Sequence, residues 1–371
     1  MIEPFLIFAE KISMRLYNII DSKILRSNLL DEIIDRKTIS FYRYYLIDNP
    51  KEFRDQIYLL WSELNCFGRI YIAKEGINAQ MSIPESNFGA FLQTLNQHPI
   101  FDQIPIKYAI EDNGKSFYKL TIRVRPKLVA DGLDDSAFDV TNVGKHLCAE
   151  EFHALVETGK HVVVDMRNHY ESEIGHFKGA ICPETDTFRE ELQVVSEMLK
   201  DQKAQKILLY CTGGIRCEKA SAYLKHQGFS DVNQLHGGIL EYARRIKQLN
   251  LESNFIGKNF VFDERLGESV NGEVISNCHQ CGKPCDRHVN CANELCHLLF
   301  IQCDECAEKF EKCCSTECCI VKNSTEEEIH NLRIDANRQF GNSRLYRKSF
   351  LLAKKTNFAI PNTAPVQNLS V

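Results

Sequence analysis

Apolar residues recur in this chain at spacings that change from region to region, and the changes divide it. The first 36 residues mix apolar and charged positions at loosely helical spacing, which predicts an amphipathic lead used for packing. From Thr38 to Arg125 the pattern predicts a strand (TISFYRYYLI), a helix (Pro50 to Asn65), two strands (GRIYIA and GINAQMSI), a helix (Glu85 to Asn96) and a strand (Lys115 to Val124). Arg69, Tyr71 and Ala73 alternate there with Ile70 and Ile72, the period of a half-buried strand. From about Gly144 to Asn250 the pattern shifts. VVVD, ILLY and the Val232 to Leu235 stretch are short continuous apolar runs separated by helical segments, which predicts a parallel sheet buried on both faces.

The βαββαβ order of the first region is the ferredoxin-like arrangement, an antiparallel sheet with two helices on one face. Its other face is then open to RNA or a partner, through Arg43, Tyr44, Arg69, Lys74, Arg123, Arg125 and Lys127 with Phe117 and Tyr118; an ordinary solvated face is the alternative. The domains run 37–130 (ferredoxin-like), 144–250 (parallel α/β) and 251–322 (cysteine-rich). An acidic, turn-rich stretch at 131–143 reads as a linker. A polar tail over 323–371 is basic from Asn331 to Lys355, suiting either RNA phosphate contact or a solvated helix.

A chain of 371 residues with 44% hydrophobic content has ample material for two or three cores. Its net charge of -5 argues against a uniformly basic nucleic-acid binder, and no DNA partner is expected. The apolar start is interrupted by Glu3, Glu10 and Lys11 and reads as no cleavable signal; Met14 offers an alternative start. No run reaches the roughly 18 apolar residues of a membrane span, so a cytoplasmic protein is expected. Five cysteines precede residue 278 and eleven lie between Cys278 and Cys319, a distribution that points to metal rather than disulfides.

The reactive chemistry is expected at KILLYCTGGIRCEKA, Lys206 to Ala220. An apolar strand delivers Cys211 into a loop with Gly213 and Gly214, and Arg216 opens a helix. A sulfur at a helix start, beside inward-turned backbone N–H groups and a guanidinium, ionises readily, and the thiolate is the nucleophile. Cys217 either resolves an oxidised or persulfidated Cys211 or packs inward as a small apolar group. His176 reads either as a base or as a core histidine donating to a backbone carbonyl, the structural role being favoured. Cys278-x2-Cys281 and Cys303-x2-Cys306 have the spacing of two zinc knuckles sharing one tetrahedral ion. The remaining cysteines with His279, His288 and His297 suffice for a second site, and an iron–sulfur cluster is the alternative to structural zinc. No flavin or nicotinamide fingerprint is apparent.

The six-residue loop Cys211 to Arg216 resembles the sulfur-carrying loop of the rhodanese family, one residue shorter than the cradle of dual-specificity phosphatases. Asp165 and Arg167 look like that family's Asp-x-Arg signature, Gly175 and His176 its Gly-His segment, and Gly237 and Gly238 its closing Gly-Gly pair. Taken together with EGINAQ (75–80), VADGLDD (129–135), GKNFVFDERLGE (257–268) and CHQCG (278–282), the chain resembles the bacterial tRNA uridine hydroxylases of the rhodanese superfamily over about residues 36–320. The resemblance implies oxygen-dependent hydroxylation at carbon 5 of the uridine at position 34 in the anticodon loop, with O2 as co-substrate and an unspecified electron donor. It places the active cysteine at Cys211; Asp165, Arg167 and Cys217 are accessory candidates, Cys217 by its position rather than by the resemblance. A sulfurtransferase carrying a Cys211 persulfide is the alternative.

Overall fold

The computed structural model describes residues 16–325 and 327–329. The basic tail residues Arg333 to Lys355 and the first fifteen residues of the lead lie outside the described residues. Among the described residues no helix is long and apolar enough to cross a membrane.

After helix α1 (Ser22–Asp31), the first sheet is built from β1 (Arg36–Tyr44), β2 (Phe67–Ala73), β3 (Gly76–Pro84), β4 (Lys107–Tyr108) and β5 (Leu120–Val124), with α2 (Pro50–Glu63) and α3 (Phe88–Asn96) between them. Its order is β4-β1-β3-β2-β5, and β4-β1-β3-β2 is antiparallel throughout, as the ferredoxin-like pattern requires. Period-two alternation puts Phe41, Ala79, Ile70 and Ile122 in one row against Ile57 and Trp61 of α2 and Phe91 of α3. The fourth strand of the pattern is the two-residue β4. The strand expected at Lys115–Val124 is shorter, and it lies at the opposite edge, parallel to β2. Pro105 and the turn-rich Asp112–Gly114 stretch hide so short a strand from periodicity.

The second region forms a parallel sheet of order β6-β10-β9-β7, from β6 (Lys145–Leu147), β7 (Val162–Asp165), β9 (Lys206–Tyr210) and β10 (Asp231–Leu235). Helices α6 (Phe188–Met198) and α7 (Ile215–His226) cover one face; α4 (Ala149–Glu157) and α8 (Gly238–Leu249) cover the other. The short α5 (His169–Ser172) precedes β8 (Gly175–Phe177), which pairs with β11 (Phe255–Asn259); β11 in turn pairs with β12 (Glu268–Ser269). The segment after residue 250 is thus hydrogen-bonded to the parallel-sheet region. The cysteine-rich stretch follows, with hairpin β13 (His288–Asn290) and β14 (Leu299–Ile301) and helices α9 (Asp304–Lys309) and α10 (Thr316–Lys322).

The acidic stretch read as a linker packs as a strap. Lys219 of α7, with its side chain 3% exposed, holds Glu75 at 2.8 Å and Asp135 at 3.0 Å, while Lys127 holds Asp131 and Asp135, each at 2.8 Å. Lys127 is therefore taken up by carboxylates and does not offer its charge to RNA. Glu75 also accepts from the Leu128 amide at 2.6 Å, so one carboxylate ties the first sheet to the strap and to α7. Removing the cation from a buried cluster leaves uncompensated carboxylates. Lys219→Met is expected to lower unfolding stability by about 3–5 kcal/mol, read by urea denaturation. An unchanged midpoint would mean that solvent screens the cluster.

Candidate active site

Cys211 follows β9 directly, at the carboxyl end of the parallel sheet, where such sheets hold ligands. Two glycine contacts shape its loop. Gly214 has φ +99°, and a side chain there would begin 2.9 Å from the Tyr42 hydroxyl. Gly238, at φ +67°, lets α8 approach so closely that a Cβ would lie 2.5 Å from the Cys211 carbonyl. The amides of Ile239 and Leu240 accordingly donate to the carbonyls of Cys211 and Thr212 at 3.1 and 3.2 Å. With its carbonyls bound from outside, the loop turns N–H groups toward the sulfur. Gly214 N–H donates to Cys211 Sγ at 3.1 Å. Gly213, expected to bend the loop, needs neither positive φ nor close approach, and open space lies beside it.

Burial pushes the Cys211 thiol up. The Cys217 S–H donated to it, the Arg216 guanidinium and the backbone N–H groups of Cys217 and Arg216 outweigh that and bring it down to about 6. Cys217 itself is fully buried and its thiol is pushed well up, first by burial and then by its bond to Cys211. It is buried beside Cys211 and serves as a donor to it.

Arg216 stands beside Cys211 as a positive charge, and it also has a carboxylate partner. Its guanidinium makes a bidentate pair with Glu171, Nη1 to Oε1 at 2.6 Å and Nη2 to Oε2 at 2.8 Å, with Thr212 Oγ1 bridging. Glu171 is wholly buried, and its Oε1 also accepts from the Asn168 backbone N–H at 3.2 Å, the glutamate half of a capping box. The cation thus tunes the thiol, but most of its charge is already answered. Glu171→Gln is expected to destabilise the fold by about 3–5 kcal/mol. It should also move the alkylation midpoint of Cys211 to lower pH, measured with iodoacetamide, because a negative neighbour is gone.

Asp165 and Arg167, the accessory candidates, do not reach the site. They form a fully buried pair at 2.7 Å, and Arg167 also donates to the Gly175 carbonyl at 2.5 Å, bracing β7 against β8. His176 Nδ1 donates to the Ser172 carbonyl at 2.9 Å, as expected.

The unexpected part is a roof. The cavity above Cys211 encloses about 340 Å³, room for a nucleobase, and its far wall is the helix-free face of the first sheet. Cross-strand register aligns Tyr42, Asn78 and Tyr71 in one row and Ser40, Gln80 and Arg69 in the next. The face read as open to RNA is therefore covered. Arg69 lines the cavity and donates to the Phe262 carbonyl at 3.2 Å; Phe117 is buried. Tyr44 lies with Lys219 Nζ 5.4 Å from its ring centroid, and Arg26 stacks on Tyr118. Lys74, Arg123 and Arg125 stay exposed, Arg125 standing over Tyr71 at 5.5 Å, and Arg43 is half-buried.

Lys107, Phe262, Arg265 and Glu268 complete the cavity. Arg265 is bound to Asp263 at 2.6 Å and to Glu268 at 2.5 Å. Burial pushes the Glu268 carboxyl up to about 7 against the pull of Arg265 and the Ile110 backbone N–H. Sequence reasoning missed Glu171, Lys107, Glu268 and the sheet roof. Glu171 had a local signal, the Asn-x-x-Glu capping box; Lys107 had one too, a lone lysine in the apolar run IPIKYAI.

Two sets of four cysteines have sulfurs all within 4.8 Å of one another and are able to hold a metal ion. One is Cys278, Cys281, Cys303 and Cys306, the two expected knuckles; the second is Cys291, Cys296, Cys314 and Cys318. Sulfur separations of 3.6 Å (Cys281–Cys303), 3.7 Å (Cys296–Cys314) and 3.6 Å (Cys314–Cys318) match a tetrahedron with metal–sulfur bonds of about 2.3 Å. A multi-iron cluster would hold its thiolates farther apart. His279 is absent from both sets and bonds Glu173 at 2.8 Å. Cys285, Cys313 and Cys319 also belong to neither.

Three family models match the chain: a UPF0176 acylphosphatase like domain at 36–128, a Rhodanese-like domain at 149–245 and a Rhodanase C-terminal region at 256–319. A curated protein from Leptospira interrogans named tRNA uridine(34) hydroxylase is 56% identical over 90% of this chain and 92% of its own length. Proteins of the same name from Hamiltonella defensa and Cronobacter sakazakii are 53% identical (82% of this chain, 86% of that protein) and 50% identical (90% and 95%).

Proposed function

Because the chain belongs to the tRNA uridine(34) hydroxylase family, we propose that it hydroxylates carbon 5 of uridine 34 in the anticodon loop of tRNA, giving 5-hydroxyuridine, with Cys211 as the reacting group. The observation that carries this reading is a cysteine sulfur that accepts the Gly214 N–H, its thiol brought down to about 6, in the floor of a nucleobase-sized cavity walled by aromatic rings and by the amides of Asn78 and Gln80. Loop nucleotides are already partly unstacked, so turning one base into such a cavity costs little. Cys211 adds to carbon 6 of the uracil, which makes carbon 5 electron-rich. Dioxygen then supplies one oxygen atom to carbon 5. The other leaves as water with two electrons from a donor outside this chain. Elimination of the thiolate as carbon 5 loses its hydrogen restores the ring.

The two four-cysteine sets hold zinc. With all four positions taken by thiolates, zinc there cross-links the chain and leaves no position open for substrate. The protein works in the cytoplasm, where thiols stay reduced. A sulfurtransferase using the same loop is the competing reading. Purified protein and undermodified tRNA, followed by nucleoside mass spectrometry beside a thiocyanate assay, separate the two. Formation of 5-hydroxyuridine in an O2-dependent manner is expected. Thiocyanate formation without any 5-hydroxyuridine would overturn the proposal.

A further inference from the structure

The cations of the cavity are not equivalent. Arg216 is claimed by Glu171, and Arg265 by Asp263 and Glu268. Arg69 sits at an exposed position against the Phe262 carbonyl. Lys107 differs from all three: among the described residues it has no carboxylate within ion-pair distance, yet it is 6% exposed. Its position is set by register. β4 pairs with β1 so that Lys107 lies opposite Ser40, which lies opposite Gln80, continuing the row that roofs Cys211. The ammonium is 4.4 Å from the centroid of the Tyr42 ring, whose hydroxyl is anchored to Glu218 at 2.9 Å. A buried ammonium held on an aromatic face, in the same cavity as a thiolate, is a cation kept for charge that appears during reaction.

We propose that Lys107 is the acid of the addition step, donating its proton to O4 of the uracil as Cys211 attacks carbon 6. This rests on the reading of Cys211 as a nucleophile toward the base. The S–C6 bond forms as the C5–C6 double bond opens, and its electron pair moves through carbon 4 onto O4, where the proton from Nζ arrives. The products are a neutral enol adduct and a neutral amine. No oxidant enters this step. Reversal returns the proton to Lys107 and the electron pair to the thiolate.

The groups facing Lys107 set the expected pH dependence. Burial pushes its ammonium down to about 8, partly offset by Cys211, Glu218 and Glu241. The neighbouring His236 is itself pushed down by burial. Addition needs the thiolate, formed above about 6, and the ammonium, lost above about 8, so its rate should be bell-shaped in pH.

The test uses full-length protein and tRNA transcribed with 5-fluorouridine in place of uridine, mixed without oxygen, so that the adduct is trapped before oxidation. Wild-type protein is expected to form an adduct that survives denaturation, with a bell-shaped rate; Cys211→Ser should form none. Lys107→Met should slow trapping by about 100-fold or more and remove the alkaline limb, and Lys107→Arg should restore part of the rate. No wild-type adduct would sink addition to carbon 6 itself. A wild-type adduct that Lys107→Met forms equally fast would sink only the role of Lys107. If Lys107→Met does not fold, the wild-type profile still decides, because a rate level from pH 7 to pH 9.5 excludes a titrating acid.

Discussion

Cys211→Ser is expected to abolish 5-hydroxyuridine formation, lowering the rate by roughly 10⁴-fold or more, because removing a covalent nucleophile forfeits the whole path it opens. A serine hydroxyl fits the same space and accepts the same Gly214 N–H. It is not ionised by a loop that brings a thiol to about 6, since its own pKa lies far higher. The thermal midpoint should therefore hardly move while activity disappears. Cys217→Ala is the informative companion. It removes the S–H donor that helps to keep Cys211 ionised, so the alkylation midpoint should shift upward and activity near neutral pH should fall without vanishing. Undiminished product from Cys211→Ser, measured by nucleoside mass spectrometry, would take the thiol out of the mechanism.

Metal removal should have the second large effect. Purified protein is expected to carry two zinc ions per chain and to lack the visible absorption of an iron–sulfur chromophore. Cys278→Ser with Cys303→Ser should leave one. The core around the second set consists largely of the cysteines themselves with Leu298 and Phe300, too little apolar surface to hold the segment without ions. Structural zinc contributes about 10–16 kcal/mol of apparent binding energy in small domains, so chelation should unfold the segment outright. The damage should reach the cavity. Leu299 and Ile301 pack with Phe260 and Ile174, and Phe260 meets the ring of His288, so the hairpin supports the stretch that carries Phe262, Arg265 and Glu268. Hydroxylation and the circular dichroism of the segment should fall together under chelation and return together with zinc. Full activity in metal-free protein would confine the ions to a remote role.

Much of this architecture was legible from local spacing. The buried parallel strands, the helix after Arg216 and the position of Cys211 follow from apolar runs and small residues within a few turns of chain. The two knuckles, Cys278 with Cys281 and Cys303 with Cys306, were legible as local turns, while their meeting in one set of four is a result of folding. The second cysteine set was not legible in that way. Cys291 and Cys296 are not a two-residue knuckle, and which of the remaining thiols join them depends on how hairpin β13–β14 and helix α10 fold back. β4 was invisible because two residues carry no period.

Spacing and residue type alone determined that Cys211 would follow a buried strand and enter a glycine-containing loop before a helix. Only the packed chain decided which charges surround it: that Arg216 is answered by Glu171, that Lys219 closes the strap, and that Lys107 and the first sheet form the ceiling. Secondary structure is set by neighbours along the chain. The electrostatic field at one atom sums over groups far apart in sequence, and only packing brings them within a few ångströms.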